Sequence, residues 1–396
     1  MLKLSRIGCA IALSFVAAGA VASAASVTAL ALPDGFTVAP EAELRLISIA
    51  PDGTVAATAK AGSWGRERAF RWGPGGTRST FTPLPVLTAP DRGESPGIPI
   101  RIGAVAAGPG IVYVTASENW SGAYSGTSFE VQRWMGNAAR RWSLPACTAT
   151  DEVDQHVNAV DSRGRVALTL DMTGTGSFQV GQDDSGAYAP YAYVIDGRHC
   201  RELGRAVVIG LRARWAAGYR GYLNGHLAPT SLNVIIQRVV AVRWHDDVLR
   251  ELGNGAAFAV TSRGFTVGAT EVPGRFESMT TNFFGNPGRR YDSPVPHALA
   301  WDVQGKMIAM ERAAVRSVAY DVADDGTAVG MLQDAAGKHF AFRWHAGRLE
   351  RLDDLAHPHG WRFESAYAIA PDGTIAGIGT LHGVATVFTW RDTPRS

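Results

Sequence analysis

Residues 365–379 read SAYAIAPDGTIAGIG: a small residue, an alternating apolar run, a Pro-Asp-Gly turn and a second apolar run. Near the other end of the chain, residues 45–59 read RLISIAPDGTVAATA and give the same order. Asp-Gly between two alternating runs is a hairpin signal, and the period of two gives each strand a buried face. A hairpin written at both ends of a chain raises the question of what lies between the copies.

Five more copies lie between them. Each has the apolar alternation, a turn containing Gly, a Val/Ile-Ala/Gly run, a variable stretch, and an apolar dipeptide leading to Arg-Trp or its equivalent. The clearest copies span 47–72, 319–344 and 367–390, and weaker ones span 102–134, 157–195 and 257–301. A seventh lies between Arg201 and Trp244, and its first half does not align. The closing residue recurs at spacings from 43 residues, Trp301 to Trp344, up to 62, Trp72 to Trp134. Most copies continue into a turn and a short run, such as HAGRLERL (345–352). Four short strands per unit of this length are the signature of a propeller blade.

The sequence thus predicts an all-β chain, a single closed β-propeller of seven four-stranded blades. Ala, Ser and Gly in the first strands are expected to suit a crowded central channel. The last copy stops at VFTWRDTPRS without a fourth strand, while SVTALAL (26–32) stands unassigned ahead of the first copy. The text from 32 to 54 also parallels that from 356 to 374, which places the N-terminal run where a fourth strand belongs. The N-terminal strand is expected to complete the last blade.

With those residues laid out, the chain resembles the HAF-repeat family, extracellular repeat proteins named for a His-Ala-Phe signature. HALAW at His297–Trp301 and FAFRW at Phe340–Trp344 come closest to it. The family's Asn before the turn is Ala50, Ala323 or Ala370 here, and its His is kept only at His297. The resemblance implies a secreted or surface-exposed repeat protein and carries over no catalytic residues.

Lys3 and Arg6 precede an uncharged run from Ile7 to Val21, and Ala22-Ser23-Ala24 follows. This is the pattern of a signal peptide at 1–24, leaving a propeller domain at 25–396. The apolar core is too short for a membrane span, which needs about 20 residues. Export to the periplasm or the exterior is expected, with no membrane insertion afterwards. Loss of Lys3 and Arg6 takes the formal charge from +2 to about 0, which gives no electrostatic case for nucleic acid. Cys9 leaves with the signal, and Cys147 with Cys200 can then form a disulfide in an oxidising compartment. The other reading of that pair is two isolated buried thiols. A monomer is expected.

No cofactor or metal site is read from the sequence. His357 and His359 beside Asp353 and Asp354 lack a second cluster to complete a tetrahedral set, and the run Asp321–Gly326 lacks the Glu of a calcium loop. Hydrolase and phosphate-cradling motifs are missing. Trp72, Trp134, Trp244, Trp301, Trp344 and Trp390 share one repeat position, which marks packing between blades.

The variable stretches carry the functional expectation. They fall between the second and third strands, and are lengthened at 117–128, 171–191, 221–231 and 271–295. Loops at that position open on the same face as the crossovers between blades, so all the insertions crowd one mouth of the channel. They offer Trp120, Tyr124, Tyr188, Tyr191, Tyr222, Phe283, Phe284 and Tyr291 among small polar residues. Aromatic surface beside hydrogen-bonding groups suits a glycan or a peptide. The primary expectation is a binding or interaction module. An enzyme alternative is a propeller glycosidase or polysaccharide lyase using Asp171, Asp183, Asp184, Glu271, Glu277 or Asp292, with two carboxylates about 5–9.5 Å apart. A structural envelope protein is the third class, and neutral insertions produced by drift are the bland reading of the loops.

Overall fold

A computed structural model describes residues 26–38, 47–61, 67–76, 78–80, 101–120, 126–136, 138–142, 154–171, 190–223, 226–227, 238–271, 295–311, 314–356 and 359–392. The proposed signal segment 1–24 lies outside the described residues. Seven antiparallel sheets follow one another along the chain, each meandering from an inner to an outer strand. In the sixth blade, for example, the strands are Arg316–Val322, Ala328–Gln333, His339–His345 and Arg348–Arg351. The first blade splits its inner strand: Phe36–Thr37 and Ile47–Ile49 both pair with Val55–Ala61. In the fourth blade a two-residue strand, His226–Leu227, also pairs with Trp215–Leu223. The molecule is an all-β, seven-bladed propeller.

The repeated turn is a type I turn closed by a left-handed Gly, the three-residue hairpin with a G1 bulge. Gly53, Gly164, Gly264, Gly326 and Gly373 all have φ between 80° and 88°, and each donates its N–H to the carbonyl three residues back. In the PDGT and DDGT copies, Asp52, Asp325 and Asp372 accept the N–H of the following Thr. In the other copies Asp161 and Thr261 cap the turn from its first position. The unaligned fourth copy differs because its first hairpin turns in two residues. Arg212 pairs with Trp215, and Ala213 takes φ 50°. That turn needs no Gly, so the motif vanishes from the sequence.

A β-bulge recurs in the inner strand of blades three to seven. The pairing with the second strand skips Asn158, Ile209, Phe258, Tyr320 and Tyr367. A bulge leaves its extra residue unpaired and re-aims the side chain. Here the five side chains turn into the central channel, where the rings of Tyr320 and Tyr367 stack at 4.8 Å. The expectation of small residues at the channel holds in part: Ser48, Ala107, Ala159, Gly210, Ala259 and Ala368 line it. The bulged bulky side chains line it as well, while other small residues, such as Ala257, Ala319 and Ala366, are buried in packing between blades.

The bulge also explains the Gly of the repeat's second strand. A Cβ on Gly218, Gly268, Gly330 or Gly377 would overlap the carbonyl oxygen of Val207, Ala256, Val318 or Ser365 on the inner strand. Gly330→Ala should lower stability by about 1–3 kcal/mol, the usual range for overpacking. Chemical denaturation of the purified variant measures it, and unchanged stability would contradict this contact.

Each closing Trp is buried in the preceding blade. Trp244 lies in one cluster with Ala167, Ala192 and Val194 of the third blade, and Trp344 with Val267, Ala298 and Ala300 of the fifth. Trp390 packs with Ala323, Val329 and Ala341, and Trp134 with Ala50, Ala56 and Ala69. In the third blade Ile195 takes this place among Ala106, Tyr113 and Val131. Trp72 of the first blade completes the circle by packing with Ile378 and Val387 of the seventh.

Ser26–Leu30 pairs antiparallel with Val384–Arg391, from Ser26 opposite Arg391 to Leu30 opposite Val387. Leu30 is buried in the same cluster as Trp72. Beyond it, Ala31 accepts a hydrogen bond from Trp72 Nε1 at 3.4 Å, as Leu203 accepts one from Trp244 Nε1 at 2.9 Å. The N-terminal strand thus does for the first blade what an ordinary fourth strand does for the next. Deleting residues 25–33 should expose the edge of the seventh sheet and abolish cooperative unfolding, with aggregation through that edge. Thermal melts and size-exclusion chromatography check this. A truncated protein that melts like the full chain would show that the ring closes without the strand.

Candidate functional site

Strands alternate in direction, so the second-to-third connections and the crossovers between blades share one face. Three of the eight aromatic residues expected on that face fall within the described chain, and all three sit on strands. Trp120 ends Ile111–Trp120 and pairs with Gly126, so most of the 117–128 insertion is extended ladder. Tyr191 opens the third strand of blade three, Tyr191–Asp196, and Tyr222 lies near the end of Trp215–Leu223 in blade four. Tyr124, Tyr188, Phe283, Phe284 and Tyr291 lie outside the described residues.

Tyr191 and Tyr222 are joined through charged side chains across two adjacent blades. Arg205 Nε donates to Tyr191 Oη at 3.2 Å, and its guanidinium carbon stands 5.7 Å from the ring centroid. Arg220 Nε donates to the Arg205 carbonyl at 2.9 Å. The Arg220 guanidinium also lies 3.5 Å from Glu251 Oε1, the atom that accepts the Tyr222 hydroxyl at 2.7 Å. Arg238 is exposed and stands 4.9 Å from the Tyr222 ring centroid. Burial, then the bond to Glu251, raises the Tyr222 pKa, so the phenol stays protonated and donates.

The cluster holds two half-buried aromatic faces, three guanidinium groups and one carboxylate. It can stack on a flat apolar surface, donate to oxygens and neutralise negative charge. The four charged residues were not foreseen, because they lie on strands rather than in the insertions. Their sequence signal is the polar residue facing an aromatic across the ladder, as Tyr222 faces Arg238.

Of the carboxylates in the enzymatic alternative, Asp183, Asp184, Glu277 and Asp292 lie outside the described residues. Asp171 ends the strand Val166–Asp171, and Glu271 follows Thr266–Ala269 by two residues. Cys200 is half-buried on the outer strand of blade three, opposite Ile195, while Cys147 lies outside the described residues. The six recurrent Trp side chains are all buried, so none of them presents a ligand surface.

No protein-family model and no curated protein matches the chain in sequence. Among solved structures it is similar to an oligogalacturonate lyase in complex with manganese, at 12% identity over 94% of each chain and a TM-score of 0.47. It is similar to the β-propeller domain of the Trilobed protease from Pyrococcus furiosus, at 10% identity over 75% of this chain and 95% of that one, TM-score 0.33. A third is Aleuria aurantia lectin in complex with Fucalpha1-6GlcNAc, at 9% identity over 78% and 94%, TM-score 0.34. Likeness at this level concerns the path of the chain and not the chemistry of any site. The class defined by fold and geometry is a seven-bladed β-propeller with an aromatic and arginine cluster on its insertion-bearing face.

Two groups on inner strands carry a pH dependence. His156, on the inner strand Asp154–Val160, is held by burial at a pKa of about 4, below its ordinary 6.5. A depressed pKa means that its contribution is present above pH 6.5 and is lost as pH falls from 6.5 toward 4. The amount is about 3 kcal/mol. Tyr367 is pushed by burial from 10.0 to about 12, so stability also falls as pH rises between those values. Melting temperatures from pH 4 to 8 should drop on the acid side, and His156→Gln should flatten that limb. An equally steep limb in the variant would assign the loss to other groups.

Proposed function

We propose that this protein is an exported binding module that takes a glycan on its insertion-bearing face. The observation that carries the reading is the pairing of Tyr191 and Tyr222 through Arg205, Arg220 and Glu251 on strands that flank the variable stretches 171–191 and 221–231. Sugar rings offer apolar faces for the tyrosines and hydroxyl groups for the charged side chains. The excess of arginine over carboxylate favours glycans that carry carboxylates of their own. Membership of the HAF-repeat family belongs to the same proposal, since it accords with export and with the repeat plan.

A glycan array with neutral and uronate-containing oligosaccharides, probed with the mature protein, tests it. Binding should be strongest on the acidic glycans. Tyr222→Ala and Arg238→Ala should each weaken it at least tenfold, about 1.4 kcal/mol, while the melting temperature stays close to that of the parent. Phe283→Ala should act in the same way from within an insertion. An array without binding, or variants that bind like the parent, would refute the glycan reading. Capture of peptides instead would assign the face to a protein partner.

Export and the Cys147–Cys200 disulfide are read together. Intact mass of the exported protein should correspond to a chain beginning at Ala25, with no titratable thiol after denaturation without reductant. The bridge closes a long loop and is worth about 3–4 kcal/mol on the chain-entropy estimate. Two free thiols would dismiss the bridge, and an uncleaved chain in the membrane would dismiss the export reading.

A further inference from the structure

The opposite mouth of the channel, ringed by the hairpin turns between first and second strands, holds a cavity of about 180 Å³. A water takes about 30 Å³ in the liquid, so the space suits a molecule of amino-acid size. All seven inner strands contribute to its wall. The bulged residues form the inner end, with Ile209 and Phe258 presenting an apolar surface. Asn158, also at that end, spends both N–H bonds within the protein, donating to Thr169 Oγ1 at 2.8 Å and to the Val208 carbonyl at 2.7 Å. A carbonyl can only accept, so the amide orientation is fixed and Oδ1 remains an acceptor. Among the described residues nothing donates to it.

Several charges ring this mouth, and in blade three Asp161 is already neutralised by Arg165, whose Nε donates to it at 2.8 Å. Blades three to five bring Arg163, Arg212 and Arg263 on or beside their turns, and blade six brings Asp321 and Asp324. Arg212 and Asp324 meet across the turn of blade five, but loosely: the guanidinium is 3.7 Å from Asp324 Oδ1, which already accepts Ser262 N at 2.7 Å. The Asp324 side chain is 48% exposed, so the attraction is screened by water and worth little. Asp321 is held firmly, accepting Val322 N on one oxygen and Ile369 N on the other, at 2.8 and 2.9 Å. The mouth therefore presents a guanidinium and a carboxylate side by side, neither well matched to the other, above an apolar floor.

We propose that this mouth is a second binding site, for a small zwitterion of the α-amino acid class with an apolar side chain. The ligand's carboxylate takes Arg212 in a two-pronged bond, the geometry at which guanidinium groups bind best. Its ammonium group takes Asp324, with Asn158 Oδ1 as a further acceptor below. Its side chain rests on Ile209 and Phe258. Each charge that the weak internal pair leaves poorly matched then gains a close partner. The site lies at the far end of the channel from the glycan cluster and does not depend on that reading.

Calorimetric titration of the mature protein with L-leucine tests the assignment, with isovalerate and isoamylamine as probes that carry only one of the two charges. Leucine should bind at least tenfold more tightly than either single-charge analogue. Arg212→Gln and Asp324→Asn should each weaken leucine at least tenfold, with melting temperatures close to that of the parent because the two side chains share only a loose, solvent-screened ion pair. Arg163→Gln, at the neighbouring turn, should bind leucine like the parent. Absence of leucine binding at concentrations on the order of 10 mM, where affinity is below about 3 kcal/mol, would overturn the proposal. So would isovalerate binding as tightly as leucine, which would mark a plain anion site, or unchanged binding in Arg212→Gln.

Discussion

The indole that closes each repeat and lies in the blade before it is the contact on which the ring depends. A Trp side chain buries about 150–250 Å², worth about 4–6 kcal/mol at 25 cal/mol/Å². Its own blade covers only part of that surface, as Phe70 does beside Trp72, and the rest is covered by the neighbouring blade. A blade alone would leave the Trp on one side and its bed of Ala and Val on the other. Each unit is therefore completed only by two neighbours, and a row of such units is satisfied when it closes. The first and last blades supply each other's missing halves, as Trp72 in the cluster of Ile378 and Val387 shows. The strand Ser26–Leu30 adds a backbone seam to that side-chain seam.

Between blades, arginine at the position before Trp reinforces the same contacts. Arg243 is 2% exposed and donates to the carbonyls of Gly264, Asp302 and Val303 in the next blade. It also lies 5.0 Å from the Trp215 ring centroid. Arg71 reaches the Gly136 carbonyl in the same direction, and Arg343 reaches Asp392. A buried guanidinium that donates to several carbonyls orients blades with respect to one another, because the acceptors sit on two different turns. The Arg-Trp pair of the repeat is thus one device: the Trp looks back to the preceding blade and the Arg forward to the following one.

This frame separates the two faces chemically. Turns on one face are short and fixed by Gly and by Asp or Thr caps, so they hold the channel mouth and its charges in defined places. Connections on the other face carry no such requirement and have lengthened in blades two to five. The Tyr191 and Tyr222 cluster stands on strands that lead into those lengthened connections, so its polar groups are fixed by the ladders of two blades. The stack of Tyr320 on Tyr367, with the other bulged residues, lines the channel between the two faces.

The sequence by itself determined the propeller, the number of blades and the closure at the N-terminal strand, because each rests on local patterns. Alternation, Gly at the left-handed turn position and a Trp at one place per repeat are consequences of hydrogen bonding and burial within about 45 residues, and SVTALAL was conspicuous as a run without its own partner. The fourth blade escaped because Ala213 does at φ 50° what Gly does elsewhere, which removes the letter but not the turn. The identity of the channel lining was decided only by the tertiary structure. A one-residue bulge turns Phe258 or Tyr320 toward the axis, and strict alternation cannot show where a register slips. The same holds for both sites. Arg205 meets Arg220 because consecutive blades are packed side by side, and Arg212 of blade four meets Asp324 of blade six because the ring gathers the turns at one mouth; neither closeness leaves a mark in the text of the chain.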